Sequence, residues 1–273
     1  MDAALANRLA AAVRAADPDR YFATLFAPAN SRPYLFAFYA FNAELARVAE
    51  TVREPMLGAI RLEWWRETAE AASKGATRNH DVARGLTALF AAHDLALADF
   101  EALIAARAFD SSSDHLADFA ALENYVASTS GAVMRLAARI LAGDPAPGVE
   151  EGLRQAGLAY GLTGLLRALP FHNARHKLYL PLDLLGALEL TPQGFFHLEQ
   201  GDPRLKAAVR QVALKARDHF LAARHASKPG AALAALLPAA LVPVYLRRLP
   251  TGKDVAIHRR QMALLSAAMR KRL

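Results

Sequence analysis

The chain has 273 residues, of which 54% are hydrophobic. Alanine and leucine dominate, a composition that favours helices over strands. There is no cysteine, which excludes disulfides, thiolate metal ligands and a cysteine nucleophile. The formal net charge is +7, and the excess lies in residues 246–273, which hold eight Lys or Arg and a single Asp. Such a basic end suits an anionic membrane surface, nucleic acid or an acidic partner, and a solvated helix face is the alternative.

Helical periodicity runs through most of the chain. A helix at about 3–16 is followed by a short aromatic helix at 21–26 and by a strongly apolar segment at 33–52 that we expect in the core. An amphipathic helix at 55–75 ends at Gly75. Later patterns predict helices at about 79–92, 97–109, 118–142, 203–226, 231–248 and 253–271. No segment alternates with period two, so we predict one all-α domain over residues 1–273.

Three local features refine this prediction. Asp114 is a candidate N-cap for the helix at 118–142. Residues 128–131 of that helix are Ser, Thr, Ser and Gly, small enough to let another helix or a ligand approach closely. The apolar window at 230–246 contains Pro238 and Pro243, so we predict a buried, kinked helix and no membrane span. The N-terminus lacks the pattern of a secretory signal.

The most informative stretch is residues 157–185. We expect an apolar helix to end at Pro170 and a new helix to begin at Pro181, with a short loop between them. The loop carries His172, Arg175, His176, Lys177 and Tyr179 and no acid. A helix that leads into a cationic loop of this kind indicates an anion site or the remains of one. His172 and His176 lie four residues apart, but no third ligand is near, so we expect no metal site.

Several stretches give the chain a resemblance to the squalene/phytoene synthase family, all-helical enzymes that join two prenyl diphosphates head to head. They are DRYF at 19–22, YLFAFYAFNAELARVAE at 34–50, RLEWWRE at 61–67, YVASTSGAV at 125–133 and GLTGLLRALPFHNARHKLYLP at 161–181. The resemblance implies an all-α, isoprenoid-synthase-type helical bundle around a central cavity.

The same resemblance locates the catalytic machinery. These enzymes hold Mg²⁺ with carboxylates from two aspartate-rich motifs on facing helices, because Mg²⁺ prefers oxygen ligands. Here the first motif falls on Ala46, Arg47 and Glu50, and the second on Ala168, Phe171 and His172. No acid occurs between Glu151 and Asp183. The resemblance therefore implies that both motifs are degraded, and we expect no catalytic residue, metal or cofactor. Mg²⁺ would be needed only by an active enzyme.

The remaining polar side chains are candidates for binding a ligand. They are Tyr21, Glu44, Arg167, Arg175, Lys177 and Tyr179. Arg167 has an alternative role, because a cation at a helix C-terminus stabilises the helix dipole. Asp110 lies near an acidic position of the family, and capping a loop is its alternative role.

Within the family, the chain resembles the branch that contains the mitochondrial assembly factor for respiratory complex I, which has likewise lost its aspartates. The leading hypothesis is a non-catalytic protein that assists assembly of a respiratory membrane complex and binds an isoprenoid or lipid. Expected partners are a subunit or assembly protein of that complex and an anionic membrane surface, contacted by a basic C-terminal helix at about 252–273. No nucleic acid is expected.

The expected location is the cytoplasm at the inner face of a bacterial membrane, or the mitochondrial matrix. Two alternatives stay open: an active prenyl transferase with an altered site, and a simple lipid- or diphosphate-binding protein.

Overall fold

A computed structural model of the chain describes residues 1–52, 54–199, 201–226, 229–249 and 254–273. These residues form α-helices joined by short connections, and the described ranges contain no β-strand. The first half of the chain holds α1 (Ala3–Ala16), α2 (Pro18–Thr24), α3 (Arg32–Thr51), α4 (Pro55–Ser73), α5 (Asp81–Ala92), α6 (Leu97–Ala106), α7 (Ala108–Ser111), α8 (Phe119–Val126), a π-helical segment (Ala127–Gly131) and α9 (Ala132–Ala142).

The second half continues the same architecture. It holds α10 (Pro147–Arg167), α11 (Leu169–Ala174), α12 (Leu182–Ala187), α13 (Pro192–Phe196), α14 (Pro203–His225), a 3₁₀ segment (Gly230–Ala232), α15 (Leu233–Leu236), a second 3₁₀ segment (Leu237–Leu241), α16 (Val242–Leu246) and α17 (Ile257–Arg270). The all-α prediction is confirmed.

Aspartates and prolines define where the helices begin. Asp2 caps α1 by accepting from the main-chain N–H of Leu5, and Asp17 does the same for α2. The prediction that Asp114 caps the next helix is wrong. Asp118 has that role, because its carboxylate accepts from the N–H of Ala121 in the first turn of α8.

The segment around Pro170 differs from its prediction. Helix α10 ends at Arg167, and Pro170 lies in the first turn of the short helix α11. A first-turn proline lacks only an N–H that would have no partner within the helix, so it begins a helix as readily as it ends one. The predicted loop is therefore helical as far as Ala174.

The apolar window near the C-terminus is buried, as predicted, but it is more broken than one kinked helix. Pro238 and Pro243 each begin a new short segment, so 3₁₀ and α turns alternate through residues 230–246. A bilayer-crossing segment needs a long apolar helix, and none occurs in the part of the chain that the structure describes. Helix α17 begins at Ile257, and the predicted start at 252–253 lies outside the described residues.

Helix α3 lies at the centre of the largest hydrophobic cluster, as predicted. Its Phe38 and Phe41 are fully buried and contact Phe100 of α6, with ring centroids 5.8 and 5.9 Å apart. Trp65 of α4 packs edge-on against Phe41 at 5.6 Å. Aromatic side chains thus hold α3, α4 and α6 together.

Helix α10 packs against both α14 and the π-helical segment. The backbones meet where Gly157 faces Gly131, and a Cβ added at Gly157 would lie 2.6 Å from the Cα of Gly131. The prediction that residues 128–131 permit close approach is confirmed, and the neighbour is a helix.

Candidate functional site

The C-terminal half of α3 and the segment after α11 come into contact. Arg175 follows α11 directly and donates from Nη1 to the main-chain carbonyl oxygen of Glu50 at 3.0 Å. Arg47 lies about one turn earlier on α3 and pairs with Glu44 at 3.5 Å, at a partly exposed position. The two segments to which the resemblance assigns the aspartate-rich motifs therefore lie beside each other.

The three second-motif positions differ in their surroundings. Ala168 lies between α10 and α11, and its side chain is a methyl group. Phe171 is 42% exposed, and the Arg175 guanidinium lies 4.6 Å from its ring centroid. His172 packs against Tyr179, with ring centroids 4.5 Å apart. None of the three offers the oxygen ligand that Mg²⁺ prefers.

The residues after α11 form a segment without regular secondary structure, residues 175–180, which we call the strap. His176 has a φ of +53°, in the left-handed region, in the turn that ends α11. Leu178, Tyr179 and Leu180 are then buried. Beyond the strap, the N–H of Leu182 donates to the carbonyl of Leu116 at 2.8 Å. The second half of the strap is thus part of the core.

A buried carboxylate, Asp110, joins the strap to three helices. Its Oδ1 accepts from the hydroxyls of Tyr125 at 2.5 Å and Tyr179 at 2.9 Å. Its Oδ2 accepts from Arg107 at 3.3 Å, and Arg107 also donates to Asn42 of α3 at 3.1 Å. We call these five residues the Asp110 network. Because its carboxylate oxygens accept from three donors, Asp110 is committed to holding the strap in place.

Lys177 also holds the strap in place, through hydrogen bonds to the main chain. Its Nζ donates to the carbonyl oxygens of Phe109 at 2.5 Å and Ser112 at 2.8 Å, and it lies 3.9 Å from the centroid of the Phe109 ring. Burial lowers the pKa of this ammonium, and the Asp110 carboxylate opposes that effect. The charge of Lys177 is directed to main-chain oxygens of the α7 turn.

Burial also sets the protonation of the rings around Asp110. It lowers the pKa of His172 to about 4, against an opposing effect of Asp110, so this imidazole is neutral near pH 7. Burial raises the pKa of Tyr125 and of Tyr179, and the nearby Asp110 charge raises both further. Both tyrosines therefore keep their protons and act as donors to the carboxylate.

A second buried carboxylate, Asp19, lies in the DRYF stretch. It is 3% exposed and accepts from Tyr245 at 2.5 Å, Tyr160 at 3.3 Å and Arg260 at 3.1 Å. Arg167 lies 3.7 Å away. These residues, the Asp19 network, join α2, α10, α16 and α17. Burial raises the pKa of Tyr245 and of Tyr160, which keeps both hydroxyls as donors.

Arg167 belongs to the Asp19 network, and its contacts lie there and not at the strap. Its guanidinium lies 3.6 Å from the ring centroid of Tyr245 and 3.6 Å from Asp254. Tyr21 lies elsewhere again, stacked on Phe36 of α3 at 5.5 Å.

The candidate residues therefore fall into separate places. The end of α3 brings together Glu44, Arg47, Glu50 and Arg175. The Asp110 network contains Tyr179, with Lys177 beside it on the strap, and the Asp19 network contains Arg167. Tyr21 packs on α3. Sequence reasoning missed the side chains that donate to Asp110 and Asp19, all of them buried or partly buried: Arg107, Tyr125, Tyr160, Tyr245 and Arg260. Asp19 and Tyr125 lie in stretches that carry the family resemblance, but nothing local marks their partners.

The arrangement of possible metal ligands was compared with what a metal site needs. Across the residues that the structure describes, no three His, Asp or Glu side chains are grouped so that they could hold a metal ion. At the end of α3, the position between the motif segments is taken by the guanidinium of Arg175.

Comparison with known proteins identifies the family. The model of the squalene/phytoene synthase family matches residues 13–266. The chain belongs to this family. The resemblance drawn from its motifs is thereby confirmed.

Within the family, the chain is similar in sequence to a group of proteins that share one name. The chain is 28% identical over 239 residues to NADH dehydrogenase (ubiquinone) complex I, assembly factor 6, of Bos taurus and of Homo sapiens, over 87% of this chain and 71% of each relative. It is 23% identical over 243 residues to the homolog of this factor in Dictyostelium discoideum, over 87% of this chain and 67% of that protein.

Solved structures confirm the fold. A dehydrosqualene synthase in complex with ligand superposes with a TM-score of 0.81 at 16% identity, over 97% of this chain and 95% of that one. A squalene synthase from Alicyclobacillus acidocaldarius gives 0.70 at 17% identity, over 98% and 94%. The isoprenoid-synthase-type fold predicted from the resemblance is confirmed.

Proposed function

We propose that this protein is a non-catalytic member of the squalene/phytoene synthase family that assists the assembly of a respiratory membrane complex of the complex I type. The observation that carries the proposal is the similarity, over 87% of the chain, to proteins named complex I assembly factor 6. These relatives come from animals, and a homolog of the same name occurs in Dictyostelium discoideum.

The chemistry of the motif positions supports the absence of catalysis. Ionisation of a prenyl diphosphate needs divalent cations to neutralise the charge that grows on the leaving group. A Mg²⁺ site needs carboxylates or other hard oxygen ligands. Here Arg47 adds a positive charge to the end of α3 and pairs with Glu44, which leaves Glu50 as the acid of the first motif. These residues do not fit a Mg²⁺ cluster.

The contacts of the strap support the same conclusion. Arg175 connects the two motif segments through a direct hydrogen bond to Glu50, and Lys177 and Tyr179 bind to groups of the chain itself. Contacts within the chain therefore hold the strap in its place. We infer that the scaffold keeps the shape of a synthase without needing the metal and diphosphate to organise it.

The proposed location follows from the proposed role. An assembly protein for a membrane complex acts at the membrane surface, on the inner face in a bacterium or on the matrix face in a mitochondrion. Expected partners are subunits or other assembly proteins of that complex.

A deletion of the gene in its source organism tests the assembly role. We expect less fully assembled complex I on native gels and lower NADH:ubiquinone oxidoreductase activity in isolated membranes, both restored by the wild-type chain. A variant with Glu44→Ala and Glu50→Ala, which removes the carboxylates left near the first motif, is expected to restore them equally. Unchanged complex I in the deletion strain would contradict the proposal.

A separate assay tests the absence of catalysis. The purified protein is incubated with farnesyl or geranylgeranyl diphosphate and Mg²⁺, with an active squalene synthase as the positive control. We expect no pyrophosphate release above buffer. Release that requires Mg²⁺ and disappears in the Glu44→Ala, Glu50→Ala variant would establish the alternative, a prenyl transferase with an altered site.

Unpaired polar atoms near α11 favour a second candidate function, binding of an isoprenoid or lipid with a polar head. Arg107 Nε, Ser111 Oγ, His172 Nδ1 and Asn173 Oδ1 are buried and have no hydrogen-bond partner among the described residues. Buried polar groups of this kind usually bind a partner. Farnesyl diphosphate without metal should raise the melting temperature, and Arg175→Glu should reduce the shift. No shift in the wild-type protein would count against this function.

A further inference from the structure

A basic cleft lies between α16 and α17, and none of its lining residues belongs to either aspartate-motif segment. It has a volume of about 430 Å³. Its lining residues are Val244, Arg247, Arg248, His258, Arg259 and Met262. We call it the Arg259 cleft. Its lining includes three arginines, a histidine and two apolar side chains, and no acid, a combination that suits an anion attached to an apolar group.

Two arginines of this cleft differ from those exposed arginines that pair with an acid. Arg8 pairs with Asp81 at 2.7 Å, and Arg154 pairs with Glu151 at 2.8 Å. Arg247 and Arg259 are also exposed, but neither forms an ion pair within the described ranges. Their charges are therefore directed to solvent or to a partner. The first turn of α17 adds the positive end of a helix dipole to the same cleft.

An apolar stripe continues from the cleft along α17. Met262 is 61% exposed, Leu265 40% and Met269 76%. These residues are three and four positions apart, so they lie on one face of the helix. The opposite face of α17, with Leu264 and Ala267, is buried against the protein. The stripe is thus fixed in position, with cations at the N-terminal end and Arg270 next to its C-terminal end.

We propose that the Arg259 cleft binds the phosphate headgroup of an anionic phospholipid while the apolar stripe of α17 lies in the membrane interface. Helices that bind membrane surfaces combine an exposed apolar face with flanking Lys and Arg in this way. Nucleic acid fits less well, because its interfaces are polar and would leave the methionines without apolar contacts. A second copy of the chain fits less well too, because a symmetric contact would bring the same cations together.

Vesicle binding tests the cleft. The full-length protein is sedimented with vesicles of phosphatidylcholine mixed with phosphatidylglycerol and with vesicles of phosphatidylcholine alone. We expect binding to the anionic vesicles, weakened by salt. Replacing Arg247 and Arg259 by Gln should lower the partition coefficient roughly 30-fold, since each cation at an anionic surface contributes about a factor of five.

A matched control separates the cleft from net charge. Arg210 and Arg217 are exposed on α14, and replacing both by Gln changes the net charge by the same amount. We expect that pair to bind as the wild type does. A second pair of variants tests the apolar stripe. Met262→Ser with Met269→Ser should weaken vesicle binding several-fold, whereas Met56→Ser with Ile60→Ser, at exposed positions of α4, should leave it unchanged.

Four results would overturn the proposal: equal binding to both kinds of vesicle, equal loss in the two arginine pairs, binding of a polynucleotide but not of vesicles, and thermal stabilisation by inorganic phosphate without vesicle binding. The last would mean that the cleft takes a free anion. All the replaced side chains are exposed, and circular dichroism of each variant verifies folding. The vesicle assay reads binding alone, so its failure would leave the assembly role untouched.

Discussion

Because Gly157 contacts Gly131, replacing a glycine of α10 by alanine should change the stability of the protein in a direction that depends on which glycine is replaced. A Cβ added by Gly157→Ala would lie 2.6 Å from the Gly131 Cα, whereas carbon atoms in ordinary contact are about 3.5–4.0 Å apart. The obstacle is backbone, so no side chain can turn away. Helix α10 must therefore move about 1 Å from the π-helical segment, along the whole length over which they pack.

The magnitude follows from two opposing effects. Overpacking of this kind costs about 1–3 kcal/mol, and replacing glycine by alanine inside a helix returns about 0.5–1 kcal/mol. We expect Gly157→Ala to lower the free energy of unfolding by about 1–2 kcal/mol. In the same helix, a Cβ at Gly164 would meet nothing within 4 Å. Gly164→Ala should therefore raise it by about 0.5–1 kcal/mol.

Urea unfolding of the two variants, followed by circular dichroism, measures both changes. Gly161→Ala provides a second crowded case. Its Cβ would lie 2.8 Å from the Cβ of Ser130, which is fixed to the backbone, and would also crowd the β-branched Val126, so we expect a loss of stability here too. If Gly157→Ala and Gly164→Ala changed stability with the same sign, the close approach of the two backbones would be refuted.

Three further changes test the buried polar groups. The pKa of His172 lies at about 4 in the folded protein and at 6.5 when exposed, so stability should fall as the pH drops below 6.5. Between about pH 7 and pH 5, this group should cost the wild type up to about 2 kcal/mol of unfolding free energy, and His172→Phe should lack that part of the loss in urea unfolding. Asp19→Asn removes the charge of a carboxylate that is 3% exposed and accepts from the largely buried Arg260, and it should cost about 3 kcal/mol by the same assay, whereas Asp81→Asn at an exposed pair should change little. Lys177→Met removes two hydrogen bonds donated by a charged group, so it should lower the free energy of unfolding by about 2 kcal/mol and speed amide hydrogen exchange in residues 178–180. Unchanged exchange would refute the role of Lys177 in holding the strap in place.

The helices could be predicted from the sequence because the signals that form them are local. Apolar periodicity gave α3 as a core helix, and the small residues at 128–131 gave the close approach to α10. Local patterns gave wrong predictions where one pattern is compatible with two structures. Pro170 is as compatible with the first turn of a helix as with the end of one, and Asp114 resembles the N-cap Asp118 four residues later.

The polar site could be predicted much less well. The cationic loop contains no acid, which suggested an anion site or the remains of one, yet Arg175 and Lys177 bind main-chain carbonyls of residues 50, 109 and 112. A carbonyl oxygen occurs at every residue, so no sequence letter marks it as a partner. The Asp19 network depends on Tyr245 and Arg260, which lie more than two hundred residues away along the chain. Only the folded chain brings these groups together.

The π-helical segment at 127–131 also has a consequence for how this sequence can change in evolution. A π turn carries one residue more than the α turn that it replaces. Deleting one residue there would restore a regular α-helix, and since the π turn already holds the extra residue within a single turn, the helix that follows would face the same way as before. Val133, Leu136 and Ile140 of α9, all buried, would then stay in the core. The π-helical segment can therefore lose a single codon without moving α9 out of the core, whereas the same loss within α9 would rotate the residues after it by about 100°.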